Sequence, residues 1–482
     1  MELASQWKRG RDSASFDLPL GRSTVSALAL SLLVSLPAVL AAPAELKLVG
    51  DWEVEVKLPA TDASARQLPT TVSVEPPRPV AVVNEWQESL AEWIPTQPGW
   101  AHKQLSAIHD DLCSARFALV PGSVLVSSVS APPKQFELDR DFKVDLEWGA
   151  VGRVPGGGIS ATQAVSVSYQ FMPRRLDAIV LTSDDELTVR QGKPHLAMPQ
   201  APELKPGEQR VANLWLPAHL AKLTPDSLFP ILETSFPEPP KTSPSAAEHL
   251  LPKTMTKLRS GEPLKILAWG DSVTEGYLGE DQWQKQFVRR LKERFPKANI
   301  ELITVGWGAH NSTHFLEAPP GHVRNFAETV LRPRPDLVVS EFVNDGVLEA
   351  ATVEQHYGQF LLDFQRIGAE WIILTPHYNS FMNLTTERDL DDDPRPYVKM
   401  VRRFAPEHGV ALADAAARYG RLWRQGIPYS TLMVNTANHP DVRGMAIFAD
   451  SLMALFPESP SHGRAGVTEM EIYEPGQARP GR

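Results

Sequence analysis

From residue 262 onward, short apolar runs alternate with segments whose apolar residues recur at helical spacing. "KILAW", "IELITV", "DLVVSEF", "WIILTP" and "VALAD" read as strands. Between them, "DQWQKQFVRRLKERF" sets Trp283, Phe287, Leu291 and Phe295 four apart, on one helical face. "VEQHYGQFLLDFQRIG", "PYVKMVRRFAPEHG" and "RGMAIFADSLMALF" also read as helices. Strands alternating with helices can bury both strand faces only as a parallel sheet between two helical layers. The spacing therefore predicts a three-layer α/β/α domain over 262–458, with sites at the carboxyl ends of its strands.

The 482 residues exceed what one core usually holds. Residues 45–232 read as a separate β-rich, sandwich-like domain. "DWEVEVKL", "FKVDLEW" and "VSVSYQF" alternate apolar and polar residues with the period of half-buried strands. "NEWQESLAEWIP" reads as a short helix and "VPGGGIS" (154–160) as a turn. Proline and serine crowd 233–261, which reads as a linker. Residues 1–44 place basic residues before an apolar run and small residues near Ala41 to Ala44. That is the pattern of a secretory signal or an N-terminal anchor. The expectation is an exported protein of a bacterial envelope, with no membrane span after the leader and a tail at 459–482. A net charge of −10 argues against nucleic acid as a partner. The single cysteine, Cys113, excludes an internal disulfide and a cysteine-based metal site.

Ser272 ends the first strand in "ILAWGDSVTEGYLG". "GWGAHNS" follows the second strand, and its Gly306 and Gly308 expose backbone N–H groups. "VNDG", with Asn344 and Asp345, follows the third. "NHPDVRG" puts His439 before the last helix. A hydroxyl, an imidazole and a set of donors are the parts that acyl transfer requires. Asp345 reads as a turn former. His310 and His314, four apart, could suggest zinc but lack a third ligand, so no metal or cofactor is expected. The acidic run 387–396 reads as a solvated loop leading into a helix. Trp307 and Tyr378 lie near strand ends, where they would line the substrate site or pack in the core.

In this order the blocks resemble the SGNH hydrolases, the GDSL esterases and lipases, over about 262–458. Gly270-Asp271-Ser272 matches the first block and "ITVGWGAHNS" the second. "FVND" matches the third, with Phe342 in place of glycine, and "TANHP" the last, with Thr436 in the aspartate slot. The resemblance implies Ser272 as nucleophile and His439 as base. Its oxyanion donors would be the N–H of Ser272, the N–H of Ala309 (or Gly308) and the Asn344 amide. Ala309 can serve as a backbone donor if its φ is negative. Thr436 carries no charge, so Asn435 or a backbone carbonyl would orient the imidazole. The implied activity is hydrolysis of a carboxylic ester, with a short acyl group on a carbohydrate preferred. A lipase or thioesterase, and a non-catalytic glycan-binding protein, are the alternatives.

Overall fold

The computed structural model describes residues 43–59, 69–109, 113–380 and 393–458. The expected leader falls almost wholly outside these residues, as do the tail and positions 387–392 of the acidic run. No helix among the described residues is long and apolar enough to cross a membrane.

The C-terminal sheet consists of β1 (Pro263–Gly270), β2 (Asn299–Gly306), β3 (Leu337–Glu341), β4 (Glu370–Leu374) and β5 (Ala411–Ala413). All its pairings are parallel, in the order β2-β1-β3-β4-β5. The direction of winding reverses beside β1, and such a switch point opens a crevice at the strand's carboxyl end. Strand alternation assigns the two faces. Ile266 and Ala268 of β1 share a core with Trp283, Phe287 and Leu291 of α2 and with Met445 and Phe448 of α5. Leu267 and Trp269 share another with Phe360 and Phe364 of α3 and with Val401 and Phe404 of α4. These helices are α2 (Trp283–Arg294), α3 (Ala350–Ile367), α4 (Pro396–Glu407) and α5 (Val442–Met453); α1 (Ser272–Glu275) is the short turn after β1. Trp269 is fully buried, with Phe342 edge-on to it at 4.9 Å. The phenylalanine in the glycine slot of the third block is therefore a core residue.

The N-terminal part is antiparallel. Sheets from 45–73 and 175–230 bury Val54, Val56, Val72, Ile179, Leu214 and Leu216 between them, as a sandwich does. A third sheet pairs Val80–Gln87 and Leu125–Ser128 with Val165–Phe171. The expected helix at "NEWQESLAEWIP" is absent, because its first four residues finish strand Val80–Gln87. A register shift with Asn84 at φ +58° disguises the strand's alternation.

The expected linker also differs. Within 233–261, Ala246–Leu250 and Pro252–Ser260 are helical. Ser245 caps the first of them reciprocally with Glu248. Ala247, Leu251, Met255 and Leu258 enter the same core as α2 and α5. The segment therefore belongs to the hydrolase layer rather than spanning a gap.

The two parts meet on the chain that leads to His439. Ser114 N donates to Val434 O (3.0 Å), and Arg116 N donates to Thr436 Oγ1 (2.9 Å). Cys113 is buried with Ala197, Met198 and Val434 at this contact, as a small apolar residue.

Candidate active site

β1 delivers Ser272 to the switch point through two residues with fixed duties. Gly270 must lack a side chain, since a Cβ there would lie 2.1 Å from the Glu341 carbonyl on β3. Asp271 caps α1 by accepting Val273 N at 3.0 Å, and it also accepts Asn344 N at 2.9 Å. One carboxylate thus ties the first block to the third. Ser272 is the first residue of α1, and its Oγ lies 2.9 Å from His439 Nε2. A hydroxyl and an imidazole at this distance can act as a nucleophile and its base.

His439 sits in a rigid turn. Asn435 Oδ1 accepts the backbone N–H groups of Ala437, Asn438 and His439. His377, buried behind the turn, donates Nε2–H to Asn438 O at 2.7 Å, and burial holds its pKa down at about 3. The His439 ring stacks on Tyr277, with centroids 4.8 Å apart and planes at 28°. The Tyr277 hydroxyl donates to Pro440 O at 2.7 Å. Burial lowers the His439 pKa to about 4. No described residue hydrogen-bonds its Nδ1.

The expected third members do not reach the ring. Thr436 is held at φ +53° and faces the N-terminal part, donating to Ser114 O (3.0 Å) and accepting from Arg116 N (2.9 Å). Asn435 orients the backbone of the turn; its Nδ2 donates to Asn438 Oδ1 at 2.9 Å. Asp441 caps α5 through Arg443 N and Gly444 N and pairs with Arg443. Ser272 and His439 are thus paired with no carboxylate on the ring among the described residues, and the imidazole rests on an aromatic face.

The second block forms the opposite wall. Gly306 must be glycine, because a Cβ there would lie 2.3 Å from Glu275 Cα. The loop then passes close to the serine: a Cβ on Gly308 would lie 3.8 Å from Ser272 Cβ. Gly308 N is not a free donor, since it donates to Glu275 Oε2 at 3.0 Å. Ala309 N and Ser272 N have no partner among the described residues. The condition of a negative φ at Ala309 is not met: the residue sits at +60°, the left-handed conformation that glycine adopts at less cost, but its N–H still carries no other bond. Asn344 Nδ2 spends one hydrogen on His310 O at 3.2 Å, leaving the other. Ser272 N, Ala309 N and Asn344 Nδ2 are the donors left for an oxyanion.

Three buried carboxylates lie beneath these donors. Burial raises both Asp271 and Glu341; the Asp345 charge pushes Asp271 up further, and the Asp271 charge does the same to Glu341. The charge belongs on Asp271, which accepts backbone N–H groups that favour its ionised form. Glu341, with one oxygen unpartnered, is the neutral member. Asp345 lies in the 3-10 turn Val343–Val347, as a turn former would, but not at the surface. It is fully buried, accepts Ser312 N and Tyr357 Oη, and is raised by burial to about 6.

His310 stacks on Trp307 at 4.0 Å and lies edge-on to His314. No group of three or more metal-ligating side chains occurs among the described residues. Tyr378 is buried under Arg395. In the acidic run, Asp393 is buried and pairs with Arg395 rather than being solvated. Sequence reasoning missed Tyr277 and Glu275, although both lie within the stretch that contains Ser272.

Residues 268–447 match the GDSL-like lipase/acylhydrolase family. This segment is a GDSL-like hydrolase domain. The match runs from β1 into α5 and takes in Ser272, the loop with Gly308 and Ala309, Asn344 and His439. No curated protein matches the chain. Among solved structures, the chain is similar to a two-domain esterase active on acetylated mannans, at 20% identity and a TM-score of 0.36. That similarity covers 47% of this chain and 57% of the esterase's length. It is also similar to an acetylxylan esterase from Geobacillus stearothermophilus, at 19% identity and a TM-score of 0.34, over 41% of this chain and 97% of that one.

Proposed function

We propose that the protein is an exported serine esterase that removes a short acyl group, such as acetate, from a carbohydrate. The observation that carries the reaction type is the 2.9 Å contact from Ser272 Oγ to His439 Nε2, beside two backbone N–H groups without a partner. His439 Nε2 accepts the hydroxyl proton as Oγ attacks the ester carbonyl. The developing oxyanion lies against Ser272 N, Ala309 N and Asn344 Nδ2. The imidazolium then protonates the leaving alcohol, and an acyl-serine remains. Water, deprotonated by the same imidazole, releases the acid and restores Ser272. A pure binder would have no use for this set.

The surroundings of the serine favour a hydroxyl-rich alcohol over a lipid. Glu275, about half exposed on its side chain, holds Gly308 N and pairs with Arg324. Asn344 and His310 add further polar groups. Export rests on the basic and apolar pattern of residues 1–44, and N-terminal sequencing of envelope and culture fractions tests it. For the reaction, kcat/KM on aryl esters from two to eight acyl carbons should fall at least tenfold along the series. Acetate should also be released from acetylated polysaccharide. A preference for the eight-carbon ester would replace this reading with a lipase.

A further inference from the structure

A cavity of about 530 Å³ lies between the β-rich part and the hydrolase domain. Its walls include Phe117 and Trp215 from one side and Tyr378, Trp423, Tyr429 and Thr436 from the other. Neither Ser272 nor His439 lines it. We propose that this cavity is a second binding site, for a neutral saccharide segment, next to the turn that carries His439. The choice of a saccharide rests on the reading of the substrate above.

Several independent features point to a ligand. The volume falls within the range of small-molecule sites, and aromatic walls offer flat faces to the apolar faces of sugar rings. Tyr419 Oη and Trp423 Nε1, on two residues that line the cavity, are buried with no partner among the described residues. An alkyl chain would leave both unmet, whereas a ligand carrying hydroxyls can satisfy them. Charge does not demand an ion. Arg116 pairs with Glu147, Arg174 donates to the carbonyls of Leu196 and Arg116, and Asp226 adds a negative group to the wall.

Backbone strain marks the same place. Phe117 and Thr436, a bulky and a β-branched residue, are held at φ +55° and +53°. Such conformations persist where the surroundings enforce them, and they cluster at ligand sites. Arg116 N, one residue before Phe117, donates to Thr436 Oγ1, so the two strained walls are joined. Phe117 is also 54% exposed, an unusual setting for a phenylalanine held in that conformation. From Thr436 the chain runs through the Asn435-bonded turn to His439. A glycan held here would sit beside the catalytic turn.

The test is calorimetric titration of full-length Ser272→Ala protein with unesterified xylo-, manno- and gluco-oligosaccharides of six units. Binding of at least one series is expected. Trp423→Ala in that background should weaken it at least tenfold. Phe117→Ala, at an exposed wall position, should weaken it several-fold, and near-UV circular dichroism reports whether each variant remains folded. No binding of any series at millimolar ligand would overturn the proposal. So would binding unchanged in a folded variant of each kind. The titration involves no ester cleavage. Failure of the esterase reading therefore appears as absent acid release by the wild type, and failure of the cavity as absent binding.

Discussion

Lowering the pH separates a buried dyad from an ordinary triad. A solvated histidine titrates near 6.5, and a neighbouring carboxylate raises that value. Burial lowers His439 to about 4, and no carboxylate among the described residues bonds its ring. The base works only when neutral, so activity is lost as pH falls through the folded pKa. At pH 5, a base titrating at about 4 is still about 90% neutral, whereas one at 6.5 is only about 3% neutral. The two accounts differ about 20-fold in the kcat/KM retained between pH 7 and pH 5. The assay is initial rates on an aryl acetate, corrected for spontaneous hydrolysis, with circular dichroism showing that the fold persists at pH 5. Thr436→Asp should leave the acid limb where it is, because Thr436 Oγ1 faces Ser114 and Arg116 rather than His439. A wild-type limb at pH 6 or above, or a limb displaced by Thr436→Asp in a folded, active variant, would refute the reasoning.

Other substitutions probe the remaining parts. Asn344→Ala removes one oxyanion donor, which typically costs about 3 kcal/mol in the transition state, so kcat should fall roughly 100-fold with KM little changed. Tyr277→Ala removes the face on which His439 stacks and should lower kcat at least tenfold. Tyr277→Phe keeps the ring, loses only the bond to Pro440 O, and should retain most activity. Gly306→Ala would drive a Cβ to 2.3 Å from Glu275 Cα, so it should abolish activity and lower the thermal midpoint measurably.

Much of this site was legible because its parts sit at strand ends, and strands announce themselves by period. Ser272, Asn344 and His439 each follow or precede an element whose apolar pattern is plain, so their order along the chain implies their meeting. The orientation of Thr436 was not legible. A residue three before the histidine faces the ring in one turn geometry, but a left-handed φ sends this one to the N-terminal part. The same holds for the oxyanion loop. The resemblance put Ala309 ahead of Gly308, yet only the fold shows Glu275 consuming the Gly308 N–H. Helices at 246–260 were hidden behind the proline- and serine-rich 233–245 that precedes them, although Ala247, Leu251, Met255 and Leu258 keep helical spacing. The β-strand at 80–87 was lost to a bulge, since one extra residue breaks a period of two. Tyr277 could have been noticed five residues after the serine, but nothing in a sequence says which ring will stack on a histidine 162 positions away.

The central claim is that Ser272 is the acylated residue and His439 its base. Intact mass and peptide mapping after treatment with a fluorophosphonate measure it directly. The wild type should gain one phosphonyl group, on Ser272. Ser272→Ala should gain none, and His439→Ala should react at least 100-fold more slowly, both variants remaining folded. A label on another residue, or labelling of folded His439→Ala at the wild-type rate, would contradict the account.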